Sequence, residues 1–358
     1  MRALLLAVFV AIGCTPVRND VYLREMAAAA RAHHAGRLQE AAAAYDAASR
    51  APVPPGHQVH AAYLAASLTE RAGNESEARE RYSALAKRED AKGIRIEAAY
   101  RLIDLELKKS DSDDAWRELE AFIIAYPESA LARRGLQRVT LKHERSGGPA
   151  GALKYLQSIS SLESTALGES IAYGAAQQRM SLGEVEKARD EFIAVADRWP
   201  YPKGALFDDS LYRASEIDEH LGRAKLAISD LERLLDERET SAYVGSYQRP
   251  RFTPALVRVG LLYRDAIRDH EKARRAFHRL YTDFKTSLLR DDALYEEARL
   301  WRLDNNESRA CNTGKKLARE FSDSRFVACL PWLCGEAVKS AKCDGRWPRG
   351  TLSIDGVP

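Results

Sequence analysis

The chain has 358 residues, 45% of them hydrophobic and 30% charged, with a formal net charge of +3. That is enough apolar material to bury a substantial core, and the near-balance of charge gives no basis for nucleic-acid binding or general adhesion to acidic surfaces. The sequence carries no phosphate-loop motif, dinucleotide glycine fingerprint, His-Glu-x-x-His or Gly-x-Ser-x-Gly, so no motif-borne enzyme class is indicated.

The amino terminus reads Met1, Arg2, an apolar run from Ala3 to Ile12, then Gly13 and Cys14. A run of about ten apolar residues is too short to span a bilayer and suits the hydrophobic region of a secretory leader. Ala11-Ile12-Gly13-Cys14 resembles a bacterial lipobox, with Ala11 where leucine is usual. The resemblance implies that residues 1–13 are a lipoprotein signal peptide, that Cys14 is acylated, and that 14–20 form a lipid-anchored linker. Several acyl chains anchor stably, because each buried methylene contributes about 0.8 kcal/mol and one chain alone is marginal. Thr15 after the cysteine implies sorting to the periplasmic face of the outer membrane.

From there a unit returns about every 37 residues, anchored on Ala41, Ala78, Ala115, Ala152, Ala188, Ala227, Ala273 and Ala310. Five residues before the alanine stands Gly36, Gly73, Gly147, Gly183 or Gly222, and four after it Tyr45, Tyr82, Leu119, Leu156, Phe192, Leu231 or Phe277. The spacing predicts helix, glycine turn, helix: glycine takes the left-handed conformation that ends a helix. Alanine then lets the helices approach, and the large residue one turn on fills the gap. Ser110, Arg268 and Asn305 replace the turn glycine, and Gly314 replaces the large residue of the last repeat.

The second and fifth repeats carry a resemblance. Ala66, Gly73, Ala78, Tyr82 and Leu85, and again Ala176, Gly183, Ala188, Phe192, Val195 and Pro200, fall at the small and large positions of the tetratricopeptide repeat family. The resemblance implies an all-α, right-handed superhelical solenoid of about eight stacked helix-turn-helix repeats over 21–325, with a Cys-rich capping helix region at 326–343 and an irregular tail at 344–358. Tyr126-Pro127, Ser129, Phe284, Ser287, Asp208-Asp209-Ser210-Leu211-Tyr212 and Asp291-Asp292-Ala293-Leu294-Tyr295 also resemble the longer repeats of bacterial envelope lipoproteins of the BamD and YbgF group. The paired aspartates are expected to cap helix starts, where free amides and the dipole favour negative charge.

Tyr63, Tyr100, Tyr173, Tyr212 and Tyr295 each stand fifteen residues before their repeat's alanine, with Met26, Gln137 and Arg258 in that slot elsewhere. By the family resemblance the slot lies on the first helix near the concave groove, where tyrosine combines a rigid apolar ring with a hydrogen-bonding hydroxyl. The same recurrence is open to a packing role between repeats. A second surface is Ser241 to Thr253, which lengthens the spacing before Ala273 and carries Tyr243, Tyr247, Arg249, Arg251 and Phe252, residue types favoured at interfaces. Cys311, Cys329, Cys334 and Cys343 form an even set with three pairings open, and after export they read as disulfides stapling a terminal cap. Cys311 and Cys334 are equidistant from a turn at Phe321 to Ser324, so antiparallel helices bring them together in one of those pairings. His33-His34 and His57 with His60 lack a cysteine or carboxylate constellation, so neither a metal nor a cofactor is expected.

These features lead to the expectation of a non-enzymatic scaffold tethered at Cys14, presenting tyrosines to envelope proteins or peptides in outer-membrane protein assembly, Tol-Pal and division coordination, or secretin and pilus assembly. The alternative is a peptidoglycan-binding protein or accessory part of a cell-wall lyase, which would need a lysozyme-like catalytic region with a placed acid.

Overall fold

The computed structural model describes residues 19–236, 249–337 and 343, with the backbone of 240–241 and 245–246. The leader, Cys14, Tyr243, Tyr247 and the tail 344–358 lie outside the described residues.

Eight helix pairs follow one another. They are α1 (Asp20–His34) with α2 (Leu38–Ser49), α3 (Pro55–Arg71) with α4 (Glu75–Ala86), and α5 (Lys92–Lys109) with α6 (Asp113–Ala125). The fourth pair is contained in the kinked α7 (Ala130–Ser158). Then come α8 (Gly168–Ser181) with α9 (Val185–Arg198), α10 (Phe207–His220) with α11 (Ala224–Asp236), α12 (Phe252–Leu262) with α13 (His270–Asp283), and α14 (Arg290–Leu303) with α15 (Glu307–Glu320). Asn19 caps α1 by accepting from the Tyr22 amide at 2.8 Å. Between α11 and α12 the backbone makes two antiparallel pairings, Thr240 with Ser246 and Ser241 with Gly245. Among the described residues no helix is long and apolar enough to cross a membrane.

Each anchor alanine is at most 1% exposed, as close helix approach requires. The turn glycines Gly36, Gly73, Gly183 and Gly222 have φ between 71° and 86°. In the fourth repeat this role falls to Gly148 (φ 64°, ψ −167°), not Gly147, because Pro149 disfavours a helical residue before it and only glycine reaches that conformation readily. Arg268 (φ 61°) and Asn305 (φ 58°) adopt the left-handed turn in glycine's place. Ser110 does not: it is extended (φ −150°), and Ser112 caps α6 instead.

The chain forms two compact units, one ending at Val139 and the other beginning at Thr140, with the boundary inside α7. In the amino-terminal unit Ala29, Ala41, Ala65 and Leu68 make one apolar cluster, and Val59, Ala78, Tyr82 and Ala98 another. In the carboxy-terminal unit a larger core runs from Phe207 through Leu256, Phe277 and Tyr295 to Phe326 and Leu333.

An arginine strut recurs one residue after the anchor. Arg79 reaches Glu106, Arg189 reaches Asp218 at 2.9 Å, and Arg274 lies 3.8 Å from the centroid of Trp301. Each partner stands nine residues before the next repeat's anchor. The last repeat has Cys311 at this position, joined to Cys334 with 4.4 Å between Cα atoms, while Cys329 joins Cys343 at 5.5 Å. The capping region is a 3-10 turn (Arg325–Cys329) leading into α16 (Leu330–Leu333). Leu330 and Leu333 fill the space left by Gly314, where a Cβ would stand 3.0 and 2.9 Å from their methyl carbons. That glycine is the reason the cap can seat.

Candidate functional site

The tyrosines of the first helices are joined to arginines of the following repeat. The Tyr100 hydroxyl accepts from Arg138 Nη1 at 3.3 Å, thirty-eight residues on. Arg101 stands beside Tyr63, Arg213 beside Tyr173 and Arg258 beside Tyr212, each guanidinium drawing its phenol's pKa down. Two such rungs therefore lie in each unit. The rings also pack: Tyr63 against Tyr82, Tyr100 edge-on to Phe122 and Tyr173 edge-on to Phe192. Tyr295 stacks on Phe326 at 4.1 Å and donates to the Cys343 carbonyl, so it belongs to the cap.

Burial divides the stripe. Tyr100, Tyr212 and Tyr295 are buried, whereas Tyr63 and Tyr173 are half-buried and keep solvent-facing surface. Those two share one constellation. Tyr63 meets Arg101 and Glu97, and Tyr173 meets Arg213 and Asp209. In both, the arginine stands fourteen and the acid eighteen residues before the next anchor. Burial, reinforced by the neighbouring carboxylate and opposed by the arginine, raises both phenols above their ordinary value. They therefore remain neutral donors and acceptors near neutral pH.

The first helices are cross-braced by charge. Lys108 bridges Glu70 at 3.3 Å and Asp104 at 3.1 Å, and Asp104 takes Arg138 at 3.0 Å. In the carboxy-terminal unit Glu216 lies between Arg213 (2.8 Å) and Arg258 (3.2 Å), and Glu296 takes Arg264 at 2.7 Å.

Of the described loop residues, Arg249 and Phe252 face inward. Phe252 is buried at the start of α12 and meets Phe284 edge-on. Arg249 is buried, lies 4.0 Å from the Tyr201 ring centroid, donates to the Leu234 carbonyl at 3.0 Å and pairs with Asp208 at 3.1 Å. Arg251 pairs with Asp209 at 2.6 Å over the Tyr212 ring.

The paired aspartates thus do something other than cap their own helices, whose N-cap positions are Leu206 and Leu289 with no side-chain cap bond. Asp208 and Asp209 clasp the segment leading into α12, and Asp292 clasps Arg325 at 3.2 Å, ahead of the cap. Glu169 on α8 makes the same clasp, accepting from the amides of Ala205 and Leu206 at 3.1 and 2.7 Å. Burial raises Asp208 and Asp292 to about 6 against the pull of their arginines. Among the described residues no group of three or more His, Cys, Asp or Glu is placed to hold a metal ion.

No known family signature and no previously characterised protein sequence matches the chain. Similar solved structures include MamA from residue 41 to its end, of Desulfovibrio magneticus RS-1, at 18% identity, 54% of this chain, 97% of that one and a TM-score of 0.36. PilF of Pseudomonas aeruginosa is 14% identical over 64% of this chain and 93% of its own, with a TM-score of 0.39. A tetratricopeptide repeat protein from Parabacteroides merdae is 15% identical over 78% and 99%, with a TM-score of 0.34. On the geometry of its own helix pairs, the fold of the chain is an all-α helical-repeat solenoid of the tetratricopeptide kind.

Proposed function

We propose that the protein is a non-enzymatic scaffold of a bacterial cell envelope that holds a protein segment against its first helices. One observation carries this reading: the half-buried tyrosine, arginine and acid at Tyr63, Arg101 and Glu97 recur in the other unit at Tyr173, Arg213 and Asp209. A rigid ring with a fixed hydroxyl and a guanidinium beside it suits both the apolar side chains and the backbone carbonyls of a peptide or helix. Each unit thus carries a station of its own, Tyr63 with Arg101 in the amino-terminal one and Tyr173 with Arg213 in the carboxy-terminal one.

Envelope residence is part of the proposal. The lipobox-like Ala11 to Cys14 supports tethering through Cys14, and two cystines support an oxidising compartment. Outer-membrane protein assembly, Tol-Pal or division coordination, and secretin or pilus assembly are the pathways such a tethered scaffold would serve.

Crosslinking in the native envelope followed by mass spectrometry tests the reading. Wild type is compared with Tyr63→Ala/Arg101→Gln and with Tyr173→Ala, each checked for an unchanged thermal transition. Recovery of one specific partner is expected to fall about tenfold or more in the variants; equal recovery from folded variants overturns the groove. In the same cells Cys14→Ser is expected to move the protein from the membrane to the soluble fraction, and retention on the membrane would refute the tether.

A further inference from the structure

The carboxylate clasps of the fifth, sixth and eighth repeats reveal a joint built differently. Glu169, Asp208 and Asp292 stand eighteen or nineteen residues before their anchors and grip the segment that leads into the next repeat. In the third repeat the residue nineteen before the anchor, where Glu169 and Asp208 stand, is Ile96, and Glu97 beside it turns to Tyr63. There the joint stays open, and a hollow of about 460 Å³ separates the start of α5 from the turn that leads into α7.

Its apolar wall is made by Ile96, Tyr126, Pro127 and Leu131, all half-buried and each with surface to cover. Its two charged lining residues, Glu97 and Glu128, are both carboxylates. The early amides of α7 do not call for an anion, because Ser129 already meets them: Leu131 through its hydroxyl at 3.2 Å, Ala132 and Arg133 through its carbonyl at 3.0 and 3.3 Å. The hollow lies wholly in the amino-terminal unit, and Glu97 also belongs to the Tyr63 station.

We propose that this hollow is a docking site for a partner polypeptide that presents a bulky apolar side chain next to a lysine or arginine. The inference deepens the scaffold reading and rests on it. A space of this size takes one large aliphatic or aromatic side chain with its adjoining backbone, and the two carboxylates then face the neighbouring cation across the rim. Area buried on the apolar wall supplies affinity, and the charge pair sets the register of the segment.

The test uses the full chain and a phage-displayed library of random dodecapeptides. Panning is expected to enrich peptides with a bulky apolar residue beside Lys or Arg. Ile96→Glu places a carboxylate where Glu169 and Asp208 stand and puts a charge on the apolar wall, so affinity for those peptides should fall about tenfold. The exposed Glu97→Lys keeps the shape and reverses the charge, and should abolish the preference for a basic neighbour even if Ile96→Glu folds poorly. Absence of enrichment, or enriched peptides held equally by both variants, overturns the hollow as a docking site. Peptides indifferent to these changes but lost with Tyr63→Ala/Arg101→Gln would overturn the hollow while leaving the groove standing. Peptides lost with Ile96→Glu but held by Tyr63→Ala/Arg101→Gln would do the reverse.

Discussion

Replacing Arg258 by alanine is expected to lower the unfolding free energy of the carboxy-terminal unit by about 3–5 kcal/mol, the range found when one partner of a buried ion pair is removed. Arg258 is 1% exposed on α12, and its guanidinium reaches back to α10 at 3.2 Å from Glu216 and 2.5 Å from Glu219. It also lies over the Tyr212 ring, 5.2 Å from its centroid. Without it Glu216, itself buried, keeps Arg213 at 2.8 Å and the more distant charge of Arg251. Burial already raises the Glu216 carboxyl, and Arg258 is the largest influence holding it down. In the variant that carboxyl rises further above its unfolded value. A folded-state pKa above the unfolded one means a penalty that is full at high pH and disappears as pH falls and the group takes a proton. The deficit of Arg258→Ala relative to wild type should therefore shrink from pH 8 toward pH 5. Arg258→Met with Glu216→Gln, which leaves no unpaired charge at Glu216, should recover much of the loss. Urea unfolding followed by circular dichroism at several pH values reads all three; a pH-independent deficit below about 1 kcal/mol would mean the pair is solvated and does not brace the repeats.

The period of the fold was legible because its steric demand falls on single residues at fixed spacing. An alanine that must let two helices touch admits nothing larger, and all eight are buried. The turn glycines were legible for the same reason, except where Gly147 and Gly148 stand side by side and Pro149 decides between them. Interactions between repeats were harder to read, because a local rule explains each residue without its partner. Asp208 and Asp209 look like helix-start acids by dipole reasoning alone, yet their arginines stand some forty residues away in the chain, at Arg249 and Arg251. The tyrosine stripe was visible as a column of one residue type. Its second column, Arg101, Arg138, Arg213 and Arg258, becomes visible only when residues thirty-eight to forty-six positions further on are laid beside it. The inward turn of Phe252 and Arg249 had no such signal, since an aromatic and an arginine in a long connection suit a surface as well as a core. What sets Tyr63 and Tyr173 apart from the buried tyrosines of the stripe is the solvent-facing surface left on them, and sequence spacing carries no information on that.

The second large effect is expected at the cap. Cys311→Ser/Cys334→Ser should cost the carboxy-terminal unit about 3 kcal/mol, the chain-entropy value for a crosslink of this span, since the two cysteines are 23 residues apart. Position adds to that. Cys311 occupies the place from which Arg79, Arg189 and Arg274 brace the following repeat, so the disulfide is a covalent version of the strut at a joint followed, among the described helical elements, by a short 3-10 turn and α16. The helix at this joint is too short to hold itself in water. Releasing it uncovers Gly314, Leu317 and Tyr295, which Leu330, Leu333 and Phe326 cover. Adding Cys329→Ser/Cys343→Ser should cost less than it does alone, because both crosslinks order the same segment and their effects are not independent. Two readouts follow. Reductant should lower the wild-type midpoint to that of the quadruple variant and leave the quadruple variant unchanged. The quadruple variant should also bind an apolar dye that oxidised wild type excludes, at denaturant concentrations where far-ultraviolet circular dichroism still reports folded helices. A wild-type midpoint indifferent to reductant would show that apolar contacts around Gly314 hold the cap unaided, and the strut analogy would fail at that joint.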